Sequence, residues 1–212
     1  MKKLKGQLNL QDPLDAATFA CLTTCFYHTG RVGEFTVKRL DLFDPTKHAT
    51  PAHLRQEKDH NGLQVTVLHI LVTKAAPEGE DISWAQQNGP TDPCEGLKNH
   101  MQINKPPSNG HLFTYKWKSR HRPLTKKAFI SHLAQAAQDA GEDPLQSHGI
   151  WIGSTLEYLL RGISLETVKV IRQWASNAFI IYLQKHAQIL APYLQVIPEL
   201  HHAIATSTMH VH

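Results

Sequence analysis

The chain has 212 residues, 41% hydrophobic and 19% charged, with a formal net charge of +4 and a pI of about 8.9. That length suits one domain with a core, or one domain with tails, and the composition excludes an intrinsically disordered chain. No apolar run approaches a bilayer span: the longest, Val65 to Val72, is strand-sized and interrupted by Thr66 and His69.

The start Met1-Lys2-Lys3-Leu4-Lys5 is basic, but no apolar stretch follows it, so no secretory signal is expected. The positive balance suits nucleic-acid binding without specifying it. Three cysteines, Cys21, Cys25 and Cys94, are too few and too odd in number for a disulfide framework. They point to a reducing compartment, nuclear or cytoplasmic. Cys21 and Cys25 share one helix face and read as buried small hydrophobes.

Along the chain, Asp12-Pro13 opens a helix over Asp15 to Tyr27, with Phe19, Leu22 and Phe26 as its apolar positions and Thr29-Gly30 as its end. Glu34 to Arg39 is a short apolar stretch. Asp44-Pro45 and Thr50-Pro51 punctuate a loop. Asn61-Gly62 turns into a strand from Leu63 to Ile70; Pro77 to Asp81 is a second turn, and Ile82 to Trp84 returns as the partner strand. Gly89 to Lys98 and Pro106 to Gly110 read as loops, and Leu112 to Tyr115 as a short extended piece. A basic stretch follows, with Lys116, Lys118, Arg120, His121 and Arg122 around Trp117, and Lys126-Lys127 just beyond. Helices are expected over Thr125 to Ala140, ended by Gly141, and over Ser154 to Arg161. Another runs from a Ser164 cap to about Gln173, and a last one over Asn177 to Ile189. The order gives an α+β fold, mostly helical, with one small antiparallel sheet.

Four islands carry the chemistry. They are Thr29-Gly30-Arg31-Val32-Gly33-Glu34; Lys74 beside the hairpin turn; His148-Gly149-Ile150-Trp151; and Arg172-Gln173-Trp174-Ala175-Ser176, with Tyr182 eight residues beyond Trp174. In order and spacing they resemble the active-site boxes of tyrosine recombinases, the phage-integrase family. The wording around Arg31, Ser154 to Gly162 and Trp174 to Phe179 is similar to recombinases of fungal mobile elements. The resemblance spans Asp12 to Leu194 and implies a catalytic-domain-like unit over residues 13–194, a short lead over 1–12 and a tail over 195–212.

The resemblance implies DNA breaking and rejoining through a 3′-phosphotyrosine. Tyr182 is then the nucleophile, Arg31 a phosphate clamp oriented by Glu34, and Lys74 the general acid. His148 hydrogen-bonds the phosphate and Trp174 packs beside it. Covalent capture divides one hard step into two and conserves the bond for rejoining. Guanidiniums grip two phosphate oxygens at once, which is why the family uses two arginines. No metal or cofactor is implied. The expected partner is double-stranded DNA, contacted by Lys116, Lys118, Arg120, Arg122 and Lys126, with homo-oligomers linked through the C-terminal segment Pro192 to Leu200.

The sequence departs from the family at position 151, where the second clamp arginine is replaced by Trp151. An indole carries no charge and one donor. Losing one such clamp costs roughly 10²–10³ in rate, by analogy with removing an oxyanion donor. Arg172-Gln173-Trp174 also stands where the family reads Gly-Arg-Trp. Recombinases of this kind usually carry an N-terminal helical DNA-binding domain; with only about 15 residues before the first catalytic helix, the phosphate contacts of that domain are expected to be missing here. The alternative is therefore a catalytically inactive, DNA-binding remnant of a transposon recombinase. A metal-binding reading of the tail histidines, His201, His202, His210 and His212, has Glu199 as its one nearby carboxylate and is the weaker alternative.

Overall fold

The computed structural model describes residues 1–73 and 76–171, with the backbone alone at His148, Leu160, Leu165, Lys169 and Ile171. The expected helix over Asn177 to Ile189 lies outside these residues. The chain divides into two compact units, Met1–Trp151 and one beginning at Ile152.

The first unit is organised around helix α2, Pro13–His28, which follows a short α1, Lys2–Gly6. Asp12 caps α2, its carboxylate accepting from Leu14 N (2.9 Å) and Asp15 N (3.1 Å). From Ala16 to Cys25 every residue is buried. A helix buried on all sides needs partners on all sides, and α2 has them in α3 (Pro93–Asn104), strands β3 (Glu80–Ala85) and β4 (Thr114–Trp117), and α4 (Lys126–Asp139). Cys21 and Cys25 lie inside this core with their sulfurs 4.0 Å apart. Helix α1, within the stretch read as a mere lead, sends Leu4 into the same core.

The sheet has three strands rather than the two of the expected hairpin. β2, Gln64–Ile70, pairs antiparallel with β3 on one side and with β1, Leu54–Lys58, on the other. The register sets Leu68 against Ile82 and against Leu54. β1 reads Leu-Arg-Gln-Glu-Lys and is exposed after its first residue, so it carries no apolar alternation to announce it. Charged residues are what an edge strand uses to discourage further pairing.

The loop expected over Gly89 to Lys98 is a second correction: α3 begins at Pro93, with Asp92 as its cap accepting from Cys94 N at 3.0 Å. Asp-Pro is the same signal that opens α2. Gly96, which argued for a loop, lies where α3 crosses α2; a Cβ there would come within 3.0 Å of Thr23 Oγ1 and 3.4 Å of the Phe19 ring. The basic stretch after Tyr115 carries no element signal in the sequence. It folds as a β-hairpin of β4 and β5, Arg120–Pro123, joined by a two-residue turn in which Lys118 has φ 54°.

α4, expected over Thr125 to Ala140, is capped by Thr125, whose Oγ1 accepts from Ala128 N at 3.1 Å. α5 runs over Ser147–Leu160 and begins earlier than expected, so His148 and Trp151 sit within the helix rather than before it. In the second unit, Ser164 Oγ accepts from Thr167 N (3.1 Å) at the head of α6, Leu165–Ile171.

Candidate functional site

The turn after α2 holds Arg31. Gly30 N donates to Cys25 O (3.0 Å) and Thr29 N to Phe26 O (3.1 Å), a closure that places Thr29 in the left-handed region at φ 65°. A β-branched residue there costs on the order of 1–2 kcal/mol, and the Thr29 hydroxyl is buried without a hydrogen-bond partner among the described residues. Gly30 is needed for space: a Cβ would fall 2.4 Å from Phe35 Cε2 and 2.9 Å from its Cζ. Phe35 and Val32 are buried beneath the turn, and Thr36 Oγ1 donates to Val32 O at 2.7 Å.

On this base, Arg31 is extended and Val32–Glu34 forms one 3-10 turn. Glu34 reaches back: one carboxylate oxygen accepts the Arg31 backbone N–H at 2.9 Å, and the other pairs with Arg31 Nη1 at 3.3 Å. The expected buried pair is only half so, since the Glu34 side chain is 16% exposed and that of Arg31 57%. A pair this open adds little stability. Its consequence is directional, with the carboxylate fixed and the guanidinium held at one corner while its other donors face solvent. Burial raises the Glu34 carboxyl above its ordinary value, against the lowering influence of the Arg31 N–H and guanidinium.

Lys74 falls outside the described residues, but the frame that carries it does not. Thr73 N donates to Ala76 O (3.0 Å), Ala76 N to Thr73 Oγ1 (2.9 Å), and Thr73 Oγ1 to Glu80 Oε1 (2.7 Å). The β2–β3 connection is thus pinned on both sides of position 74. His148 lies in the first turn of α5, and Trp151 one turn on, half-buried. Arg172, Trp174 and Tyr182 fall outside the described residues. Of the expected catalytic-site residues, Arg31 and its brace Glu34 are the pair that the described structure brings together.

The hairpin β4–β5 carries Lys116, Lys118, Arg120 and Arg122, and all but Arg122 are exposed. Arg122 lies over the Trp117 ring, its guanidinium carbon 4.7 Å from the centroid. The base of the hairpin is anchored by Asn104, a residue that sequence reasoning passed over because α3 itself was missed. Asn104 Oδ1 accepts from Lys116 N (2.9 Å), its backbone carbonyl accepts from His121 Nε2 (2.9 Å), and its Nδ2 donates to Pro13 O (2.9 Å) and His100 Nδ1 (3.0 Å). Among the described residues no cluster of His, Cys, Asp and Glu could hold a metal ion, and no helix is long and apolar enough to cross a membrane.

No protein-family model and no curated protein matches the chain. Solved structures do. An FLP recombinase–Holliday junction complex aligns with a TM-score of 0.56 at 14% identity, over 83% of this chain and 43% of that one. A Flpe–Holliday junction complex aligns at 0.57 and 14%, over 84% and 43%. The chain thus spans less than half the length of these proteins. Its fold is α+β and similar to the catalytic domains of tyrosine recombinases.

Proposed function

We propose that this chain is a DNA strand-breaking and rejoining protein of the tyrosine-recombinase kind, working through a 3′-phosphotyrosine on Tyr182 and impaired by Trp151. What carries the reading is the Arg31–Glu34 corner: a solvent-facing guanidinium braced by a mostly buried carboxylate on a rigid turn, in a fold shared with FLP recombinase. In this scheme Tyr182 Oη attacks the phosphorus, its proton passing to water, and the P–O5′ bond breaks as the 5′-oxygen leaves with a proton from Lys74. Arg31 and His148 meet the charge on the non-bridging oxygens, and Trp174 closes the site. With Trp151 in place of the second arginine, half of that charge stabilisation is gone, a loss of roughly 10²–10³ in rate. The similarity in wording makes a fungal mobile element the source we favour, with subunits linked through Pro192 to Leu200.

A nicked duplex that traps the covalent intermediate tests this. The expected result is a faint adduct from the native chain, stronger in Trp151→Arg and absent in Tyr182→Phe. An adduct of full strength from the native chain overturns the impairment. The second reading, an inactive DNA-binding remnant, is favoured by the same substitution at Trp151. Salt-dependent duplex binding with no adduct even from Trp151→Arg would establish it.

A further inference from the structure

Residues 96–138 contain eight lysines and arginines and no aspartate or glutamate, and of these Lys98 alone holds a carboxylate among the described residues, that of Glu95. Elsewhere among the described residues Arg31, Arg39, Arg55 and Arg161 each hold a carboxylate. By contrast, Lys116, Lys118, Arg120 and Arg122 hold none among the described residues. α4 opens with Lys126 and Lys127 and has no acidic residue in its first turn. Cations at that end oppose the helix dipole. Local rules broken in one direction along one stretch of chain mark a segment shaped by an anionic partner.

The hairpin narrows that partner. Its register pairs Lys116 with His121 and Trp117 with Arg120, and alternate residues face opposite sides of a strand. Arg120 and Arg122 therefore share one face with Tyr115 and Trp117, Lys116 and His121 share the other, and Lys118 is at the tip. Tyr115 is buried at the root while the residues from Lys116 to His121 are all exposed. Asn104 holds the root from both strands, and the Trp117–Arg122 stack stiffens the blade. A ribbon charged on both faces and at its tip is matched to phosphates on both sides of it, not to a single flat strand.

We propose that the β4–β5 hairpin enters the major groove of duplex DNA, its two faces meeting the two phosphate backbones. The major groove is about 12 Å wide and about 8.5 Å deep and admits a two-stranded ribbon; the minor groove, about 6 Å wide, does not. Strands of this length reach about 13 Å, enough to span that depth. Arg120, beside the tip, is the residue placed to meet base edges, and guanine O6 and N7 are the pair an arginine fork fits. The proposal shares with the proposed function only the premise that the partner is duplex DNA; it needs no chemistry at Tyr182.

Fluorescence anisotropy of the full chain on a labelled mixed-sequence duplex, titrated with salt, tests it. Lys118→Gln/Arg120→Gln should melt like the native protein. Its plot of log affinity against log salt should be shallower by about 0.9, for the one phosphate that Lys118 leaves without its cation, since Arg120 meets a base edge. Methylating guanine N7 should weaken the native protein and leave the double variant unaffected, and a minor-groove ligand such as netropsin should displace neither. An unchanged salt slope in the variant, displacement by netropsin, or tighter binding to the unpaired strand with a base on Trp117 each overturns the groove assignment. A native chain that binds no duplex removes this proposal and the proposed function together. A native chain that forms the Tyr182 adduct while the variant keeps its slope removes this one alone.

Discussion

At Gly30 the chain has no freedom to carry a side chain, because the Phe35 ring occupies the place of a Cβ. Phe35 is 1% exposed and packed edge-on against Phe113, so it has no solvent-side route of escape. Gly30→Ala should therefore cost about 1–3 kcal/mol. In urea unfolding the midpoint falls while the slope stays the same; an unchanged midpoint contradicts the packing described. The same substitution should move Arg31, so that duplex affinity falls by more than the lost stability explains. Thr29, one residue earlier, is the opposite case: its conformation suits glycine, yet it carries a β-branched side chain. The turn that positions Arg31 is strained where it meets α2 and tightly packed one residue on.

Among the elements, the hairpin depends on a helix that does not touch its tip. Asn104 ends α3 and uses its side-chain oxygen and both amide hydrogens at once, on Lys116, Pro13 and His100. An amide has no substitute that satisfies all three. Asn104→Ala leaves the buried His100 Nδ1 and the part-buried Lys116 N–H and Pro13 carbonyl without their partner and should lower stability by about 3 kcal/mol. A drop in thermal midpoint alongside loss of hydrogen-exchange protection at Lys116 N is the expected signature; protection retained at Lys116 would separate the hairpin from α3. The α3 start was legible as Asp92-Pro93, but Gly96 and the polar run around it hid the helix, since a glycine reads as a breaker until the partner it lets approach is known. β1 was not legible at all, because edge strands are chosen for charge rather than alternation.

For the molecule as a whole, two buried histidines set a response to acid. Burial lowers His100 to about 4 and His111 to about 3, the latter also through His48 and His100. Their ordinary value is 6.5, so between that pH and their folded values the unfolded chain binds more protons than the folded one. Stability is complete above about pH 6.5 and falls as the pH drops toward about 4 and about 3, a loss on the order of several kcal/mol. Glu34 acts in the other direction: its raised carboxyl favours the folded state as it protonates. The histidines outweigh it, with two groups displaced further. Urea unfolding at pH 7.5, 6 and 5 should show the decline. His111→Asn, which keeps an acceptor for the Phe113 N–H that His111 Nδ1 now accepts at 3.2 Å, should flatten it. Equal stability at all three values would mean that these rings are not held neutral.

By itself the sequence determined the fold class, helices α2 and α4, the β2–β3 hairpin, and the order of the islands carrying Arg31, Lys74, His148 and Tyr182. These are local patterns, written in neighbouring residues. Tertiary structure decided what neighbours in sequence cannot: that Gly30 exists for Phe35 and Gly96 for Phe19 and Thr23, that a polar strand completes the sheet, and that Glu34 braces Arg31 through its backbone. It also decided that the basic stretch is a blade anchored on Asn104. Close approach and hydrogen bonding over long chain separations depend on where other elements end up, and no window of sequence contains that information.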